Sequence, residues 1–208
     1  MSATAPRAVP AQKPPLQTRD DRTFPTLMLA QDSNVYRAIN STRTSPGFYS
    51  SNMDGRFDLT APAGTMYVAD SLRVAVRERL GSVVSETQAV YRAEAETMKV
   101  AAILTPWHMC ADIESGIASS FEVTGELHSM TPYDIPQSWA AVFFSAGHTG
   151  IHYGARFSPG NDKCWALFGP AGPAGTKSAG PDVDGVEACK LSGIRVLARC
   201  GTVIPPPI

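Results

Sequence analysis

The sequence has little of what would place it in several large classes of protein. Its apolar runs fall well short of the roughly 20 residues that cross a membrane, so no membrane association is predicted. The opening MSATAPRAVPAQKPP lacks the apolar core of a secretory signal, and the four cysteines include no CxxC pair. We therefore expect a cytoplasmic protein whose thiols are reduced.

An excess of charge of one sign is also missing. The chain has 18 Lys and Arg against 19 Asp and Glu, which gives a formal net charge of −1. Because binding to a phosphate backbone requires a broad basic surface, direct contact with nucleic acid is not predicted. A small anionic ligand needs only a few well-placed arginines, which the net charge does not reveal.

Two stretches that look like ligand motifs have the wrong spacing. The histidines and cysteine at 108–110 and 148–152 have neither the spacing nor the number of ligands of a known metal site, so no metal is predicted. Residues 169–178, GPAGPAGTKS, are rich in glycine like a phosphate loop, but Thr176 separates Lys177 from the last glycine. Prolines also remove amide donors there, and we interpret the stretch as a flexible connection.

The residues that are present predict one α+β domain. Hydrophobic residues make up 43% of the 208, which is enough for a folded core. Residues 1–23, rich in Pro and Ala, are expected to form a disordered tail, 24–203 the domain and 204–208 a C-terminal tail. Strand and helix patterns intermix without a regular βαβ order, which favours α+β. We expect strands at 34–39, 65–69, 98–104, 149–153 and 164–168, a hairpin of 186–191 and 194–200, and helices at about 71–80, at 84–96 and from Asp134 onward.

The helix predicted after the strand at 65–69 has clear signals at both ends. Asp70 or Ser71 can cap its first turn, and Gly81 can end it. Its apolar face does not include Glu78, so helical periodicity alone predicts that this carboxylate is solvated.

Arginine, tyrosine and glutamate recur at regular spacing in the first half of the chain. Tyr36 and Arg37 lie in a predicted strand, and Arg56 follows Gly55 in a long loop. Eleven positions separate Arg56 from Tyr67, and eleven separate Tyr67 from Glu78. Taken singly, each of these residues also fits an ordinary structural role, as a surface arginine, a core tyrosine or a solvated glutamate.

Taken in order, these residues resemble the opening half of the RES domain, and the second half of the chain is similar to the closing half of that domain. The resemblance covers roughly residues 34–170. It implies a fold like that of ADP-ribosyltransferases and the breakdown of NAD. It also implies a bacterial toxin paired with a DNA-binding, Xre-type antitoxin, and some members use inorganic phosphate to release nicotinamide. The motifs that carry the resemblance are Tyr36-Arg37, Gly55-Arg56, Tyr67-Val-Ala-Asp-Ser71, Ala75-x-x-Glu78, Tyr133-Asp-x-Pro-x-x-Trp139 and Gly150-Ile-x-Tyr-x-x-Arg156.

The family is named for an arginine, a glutamate and a serine. By resemblance, the arginine corresponds to Arg37 or Arg56 and the glutamate to Glu78. The serine is expected immediately before Arg156, where this chain has Ala155. The resemblance also places Tyr36, Tyr67, Ala155 and Arg156 at the substrate, and Ser145 and Ser158 are candidates to replace the missing hydroxyl.

The residue types suit cleavage of NAD. Breaking the bond to nicotinamide builds positive charge on the ribose, which a carboxylate such as Glu78 can stabilise. Arginine side chains match the pyrophosphate, and the Tyr67 ring can stack on nicotinamide. Two alternatives stay open: an inactive or weakened RES domain that binds a nucleotide or the antitoxin, and an ADP-ribosyltransferase that modifies a macromolecule.

Overall fold

The computed structural model describes residues 12–16, 21–158 and 160–198. The predicted C-terminal tail at 204–208 lies outside these residues. Within them the strands are β1 Thr26–Leu29, β2 Asn34–Asn40, β3 Phe48–Tyr49, β4 Ala63–Ala69, β5 Ala89–Tyr91, β6 Met98–Leu104, β7 His108–Asp112, β8 Gly150–Gly154, β9 Lys163–Pro170, β10 Gly172–Pro173, β11 Lys177–Ser178, β12 Val183–Asp184 and β13 Arg195–Leu197. The α-helices are α1 Leu72–Leu80, α2 Ser82–Thr87, α3 Arg92–Ala95, α4 Asp134–Ser145 and α5 Gly185–Leu191, and 3-10 helices lie at Asp21–Thr23 and Gly116–Phe121.

One nine-stranded sheet organises the domain, and it opens at one place. The strand order is β1-β7-β8-β9-β4-β2-β6-β11, with β12 also paired to β6. Neighbours are antiparallel except for β7 and β8. β4 pairs with β9 along its whole length, whereas β4 and β2 share a single register pair, Tyr36 with Ala69. The sheet therefore separates between the two strands that carry Tyr36, Arg37 and Tyr67.

The largely antiparallel sheet with separate helices confirms the α+β class, and each face of the sheet carries an apolar cluster. Side chains alternate along each strand, so Met66 and Val68 of β4 belong to one apolar cluster, and Tyr67 and Ala69 pack into the other. The second cluster is covered by helices, and burial of each large side chain in it stabilises the fold by about 1.5–3 kcal/mol. Its helical members include Val74 and Val76 of α1, Trp139 and Phe143 of α4, and Ala188 and Cys189 of α5.

The connection from β4 to α1 forms as its sequence predicts. The Ser71 hydroxyl accepts a hydrogen bond from the Val74 backbone N–H, which caps the first turn. Gly81 ends the helix with a φ of +59°, a left-handed value that favours glycine. The two signals fix where α1 begins and ends, and so they fix the position of Glu78 near its C-terminal end.

Two predicted elements are wrong. The helix expected at 84–96 is interrupted, because Gln88 adopts a φ of +50° after α2 and the chain then forms β5 and α3. The first strand of the expected hairpin is helix α5, whose first turn is capped by the Asp184 carboxylate accepting from the Glu187 N–H at 3.1 Å. β13 then pairs with β5 in parallel, so Ser192 and Gly193 do not form a hairpin turn.

Part of the predicted disordered tail lies against the domain. Gln12 is 2% exposed, and its side-chain oxygen accepts hydrogen bonds from the Thr124 backbone N–H and hydroxyl, at 2.7 and 3.1 Å. The Lys13 carbonyl accepts a bond of 2.9 Å from the Trp139 indole N–H. The expectation of disorder therefore does not hold for these residues or for the 3-10 turn at Asp21–Thr23.

The glycine-rich stretch at 169–178 is also more ordered than predicted. It completes β9 and contains β10, which pairs with β3, and β11, which pairs with β6. None of the helices in the described part of the chain is long and apolar enough to cross a membrane.

Candidate active site

A cavity of about 480 Å³ lies at the opening between β2 and β4. Six of the seven predicted site residues line it, namely Tyr36, Arg37, Arg56, Tyr67, Glu78 and Arg156. The amino-terminal wall consists of residues 36–38, 54–56 and 67–69 with Ala75, Glu78 and Arg79, and the carboxy-terminal wall consists of Tyr133, Tyr153, Arg156, Phe157 and Cys164.

Glu78 is half-buried and connects the two walls. Its Oε1 accepts a hydrogen bond of 2.8 Å from the backbone N–H of Phe157. Burial raises the pKa of the Glu78 carboxyl, while the bond from Phe157 and the positive charges of Arg56 and Arg156 oppose that shift. The solvated carboxylate that periodicity predicts is therefore wrong, because the outer side of α1 at this turn faces the cavity and not bulk water.

A compact loop presents Arg56 to the cavity. The buried Asp58 carboxylate accepts bonds from the Gly55 N–H at 2.9 Å and from the Tyr67 hydroxyl at 2.9 Å. Tyr67 in turn accepts a bond of 2.7 Å from the Phe57 N–H. A side chain at Gly55 would lie within 2.4 Å of Asp58 Oδ1, so only glycine fits before Arg56.

The same contacts define what Tyr67 can do. Burial, with the negative charge of Asp58, raises the pKa of the Tyr67 hydroxyl well above its ordinary value. The hydroxyl therefore stays protonated and donates its hydrogen bond to Asp58. Its ring lines the cavity and is the part of Tyr67 that a ligand can meet.

The Arg56 side chain has unused hydrogen-bonding capacity. Its guanidinium lies over the Tyr133 ring, 5.5 Å from the centroid. Its Nε is buried and has no hydrogen-bond partner among the described residues. A buried donor of this kind is costly unless a ligand or water completes it, so Arg56 is the best-placed arginine for an anionic ligand.

Arg37 is partly committed to the protein. Its Nη1 donates to the carbonyl oxygens of Pro46 and, at 3.0 Å, of Phe48, so it holds the loop before β3. Burial and the nearby charge of Arg43 lower the pKa of Arg37 to about 10, and the side chain remains charged at neutral pH. Arg37 therefore combines a structural role with its place in the cavity lining.

Tyr153 and Cys164 of the carboxy-terminal wall form the floor of the cavity. Tyr153 and Cys164 are buried, and the phenol ring packs against Phe57 with centroids 5.2 Å apart. Burial raises the pKa of the Tyr153 hydroxyl and of the Cys164 thiol well above their ordinary values. Both groups are therefore neutral at physiological pH, and Cys164 is not an activated nucleophile.

The hydroxyl expected at Ala155 has no replacement among the candidates named from the sequence. Ala155 does not line the cavity and packs against the core. Ser158 is 3% exposed, does not line the cavity, and its Oγ has no partner among the described residues. Ser145 is exposed at the end of α4.

The lining charges favour an anion. Four arginines, Arg37, Arg56, Arg79 and Arg156, face two carboxylates, Asp54 and Glu78. Within the described residues, no group of three or more His, Cys, Asp or Glu could hold a metal ion.

Several residues that shape the site were not singled out for a site role from the sequence. Asp58 and Tyr133 hold Arg56 or its loop, Arg79 adds charge, and Tyr153 and Cys164 form the floor. Asp58 lies three positions after Gly55, a spacing that an Asp side chain can use to close a turn. Tyr133 and Tyr153 belong to motifs of the resemblance, which gave them no separate site role, whereas Arg79 and Cys164 have no local signal and meet the site only through the tertiary fold.

An α+β domain whose opened sheet holds an arginine-lined cavity around one half-buried carboxylate is suited to an anionic substrate. Residues 31–186 match the family model described as the RES domain, and the chain belongs to this family. No curated protein matches the sequence. Among solved structures, a chain of the M. tuberculosis MbcT-MbcA toxin-antitoxin complex shares the fold, with a TM-score of 0.62 and 11% identity over 80% of this chain and 91% of that chain.

Proposed function

We propose that this chain cleaves the bond between nicotinamide and ribose in NAD, as a glycohydrolase or a phosphorylase. The observation that carries the proposal is the position of Glu78, a half-buried carboxylate facing an arginine-lined cavity of about 480 Å³. A volume in this range accommodates a ligand of nucleotide size. The RES family membership and the fold support the same reaction class.

The chemistry assigns a separate task to each kind of side chain in the cavity. The bond from ribose C1′ to nitrogen breaks, and its electron pair passes to the pyridinium ring, which leaves as neutral nicotinamide. Glu78 stabilises the positive charge that develops on the ribose, and Arg56, with Arg37 and Arg156, binds the pyrophosphate. The rings of Tyr36 and Tyr67 contact the nicotinamide side.

The acceptor completes the reaction at C1′. Water gives ADP-ribose and releases a proton, whereas inorganic phosphate gives the 1-phosphate of ADP-ribose. The excess of arginine over carboxylate in the lining supports a site that can hold phosphate in addition to the pyrophosphate.

We also propose that the chain is the toxin of a bacterial toxin–antitoxin pair with an Xre-type antitoxin as its partner. The support is the RES family membership and a fold shared with a chain of a toxin-antitoxin complex. Expression of the chain alone should then arrest growth, and expression of the Glu78→Gln variant should not.

The deciding experiment is incubation of the pure protein with NAD, with and without phosphate, followed by mass analysis of the products. Nicotinamide with ADP-ribose identifies hydrolysis, and nicotinamide with the 1-phosphate identifies phosphorolysis. Intact NAD with a correctly folded protein would contradict the proposal.

A second candidate function follows from Ala155. If the missing hydroxyl is essential, the domain is a binding module that holds a nucleotide or the antitoxin without turnover. Calorimetric binding of NAD without any product would favour this function over the first.

A further inference from the structure

The first turns of α4 contact the loop that carries Arg56. The side-chain amide of Gln137 donates one hydrogen bond to the Met53 carbonyl and one to the Gly55 carbonyl, each at 3.0 Å. The two bonds use both N–H groups of the amide and reach the carbonyls of the third and the first residue before Arg56, on either side of Asp54. Met53 adopts a φ of +64°, a left-handed conformation that a non-glycine residue holds only when its surroundings fix it.

A second residue on the same helical face contacts the Arg56 side chain. Tyr133 lies four positions before Gln137, so the two side chains are neighbours along one face of the helix start. Tyr133 is the ring beneath the Arg56 guanidinium, at 5.5 Å. One face of α4 therefore holds both the backbone and the side chain of the Arg56 loop.

The opposite side of α4 is fixed to the core. Pro136, Trp139 and Phe143 are buried, and the Trp139 indole N–H donates to the Lys13 carbonyl. Because the helix cannot shift without disturbing these contacts, Gln137 projects from a rigid support.

We propose that Gln137 is a positioning residue that sets the conformation of the Arg56 loop and so prepares Arg56 to bind the phosphate groups of NAD. The inference rests on the proposed function, because it takes Arg56 as a ligand of NAD. Without the two bonds, residues 53–56 lose the contacts that hold Met53 in its left-handed conformation. NAD must then order Arg56 when it binds, and the free energy of that ordering reduces the affinity for NAD.

The test compares Gln137→Leu and Gln137→Glu with wild type. Leucine removes the amide, and glutamate keeps the shape but cannot donate two bonds to carbonyl oxygens. We expect the Kd of NAD, measured by calorimetry, to rise about tenfold in each variant. Ser138→Ala is the matched control, since the Ser138 hydroxyl donates to Ile135 within α4 and does not contact the loop.

A double variant separates positioning from a general loss of structure. If Gln137 acts through Arg56, then Arg56→Ala with Gln137→Leu binds NAD no more weakly than Arg56→Ala alone. Additive losses, or a wild-type Kd in both Gln137 variants, would overturn the proposal.

Hydrogen exchange in the ligand-free protein provides a readout independent of NAD. Gln137→Leu should speed exchange of the Phe57 and Asp58 amides, which bond to Tyr67 and Gly55, by about tenfold or more while β9 stays protected. Unchanged exchange at these amides overturns the positioning role. If wild type neither binds nor consumes NAD, the proposed function fails, and faster exchange would still establish that Gln137 orders this loop.

Discussion

The two walls of the cavity contribute different kinds of group. The amino-terminal wall supplies charge, with Glu78, Arg56 and Arg37, and each of these residues has a defined contact. The carboxy-terminal wall supplies the Phe157 backbone N–H, aromatic rings and an exposed Arg156. The residue that departs from the family pattern, Ala155, belongs to the segment that contributes mainly through its backbone. Under the proposed function, the first wall carries the chemistry and the second wall orients it.

The largest effect is expected from Glu78→Gln. The substitution is nearly isosteric but removes the negative charge, so NAD consumption should fall at least about 100-fold, roughly 2.7 kcal/mol in the activation free energy. Mass analysis of nicotinamide release measures it. Because burial raises the pKa of Glu78, folding favours the protonated carboxyl, and the charge reduces stability at pH values above that pKa. The variant should therefore keep its Tm. If the rate of NAD consumption decreases by less than about tenfold, Glu78 is not the group that stabilises the ribose charge.

Arg56→Ala is expected to weaken NAD binding by about 1.5–3 kcal/mol, or roughly 10- to 150-fold in Kd. The reason is the loss of charge-assisted bonds from a guanidinium whose Nε has no protein partner among the described residues. Calorimetric titration measures the effect. An unchanged Kd would remove Arg56 from the substrate site.

Arg37→Ala sharpens the contrast between the two arginines. Because Arg37 holds the Pro46 and Phe48 carbonyls, its loss should lower the free energy of unfolding by about 2 kcal/mol in addition to any effect on NAD. Urea denaturation of the two alanine variants measures this difference. Equal stability of Arg37→Ala and Arg56→Ala would show that the loop contact contributes nothing.

The pH profile should report the ionisation of Glu78. Activity requires the carboxylate, so kcat/KM should fall as pH decreases through the raised pKa of Glu78, by about tenfold per pH unit. The midpoint should lie above the ordinary value of 4.5. A profile that stays flat down to pH 4.5 would show that this carboxylate does not titrate in the active site.

The smallest effect is expected at Ala155, which lies beside the carboxy-terminal wall and does not line the cavity. Ala155→Ser should raise NAD turnover several-fold at most, corresponding to one hydrogen bond of about 1 kcal/mol. Parallel NAD assays of the two proteins measure it. Equal activity would show that the first wall suffices without this hydroxyl, whereas no activity in either folded protein would favour the binding module.

The sequence predicts the α+β class, most strands, and the α1 helix, because each carries a local signal in periodicity or capping. It fails at 84–96 and at 186–191, and it misses the parallel pairing of β5 with β13, which joins segments about a hundred positions apart and leaves no short-range pattern. The same limit applies to the site. Resemblance brings together Arg56, Tyr67 and Glu78, but the Gln137 bonds to the Arg56 loop depend on the tertiary fold alone.

The buried Gln12 has a practical consequence for where this domain is cut. The family match begins at residue 31, yet Phe24 is 2% exposed and its ring packs against Phe143 with centroids 4.6 Å apart. A gene trimmed to the matched residues would delete this ring, β1, and the partners of Thr124 and of the Trp139 indole. The truncated protein would expose apolar surface beside α4 and would aggregate more readily. The expressed segment should therefore begin before Gln12.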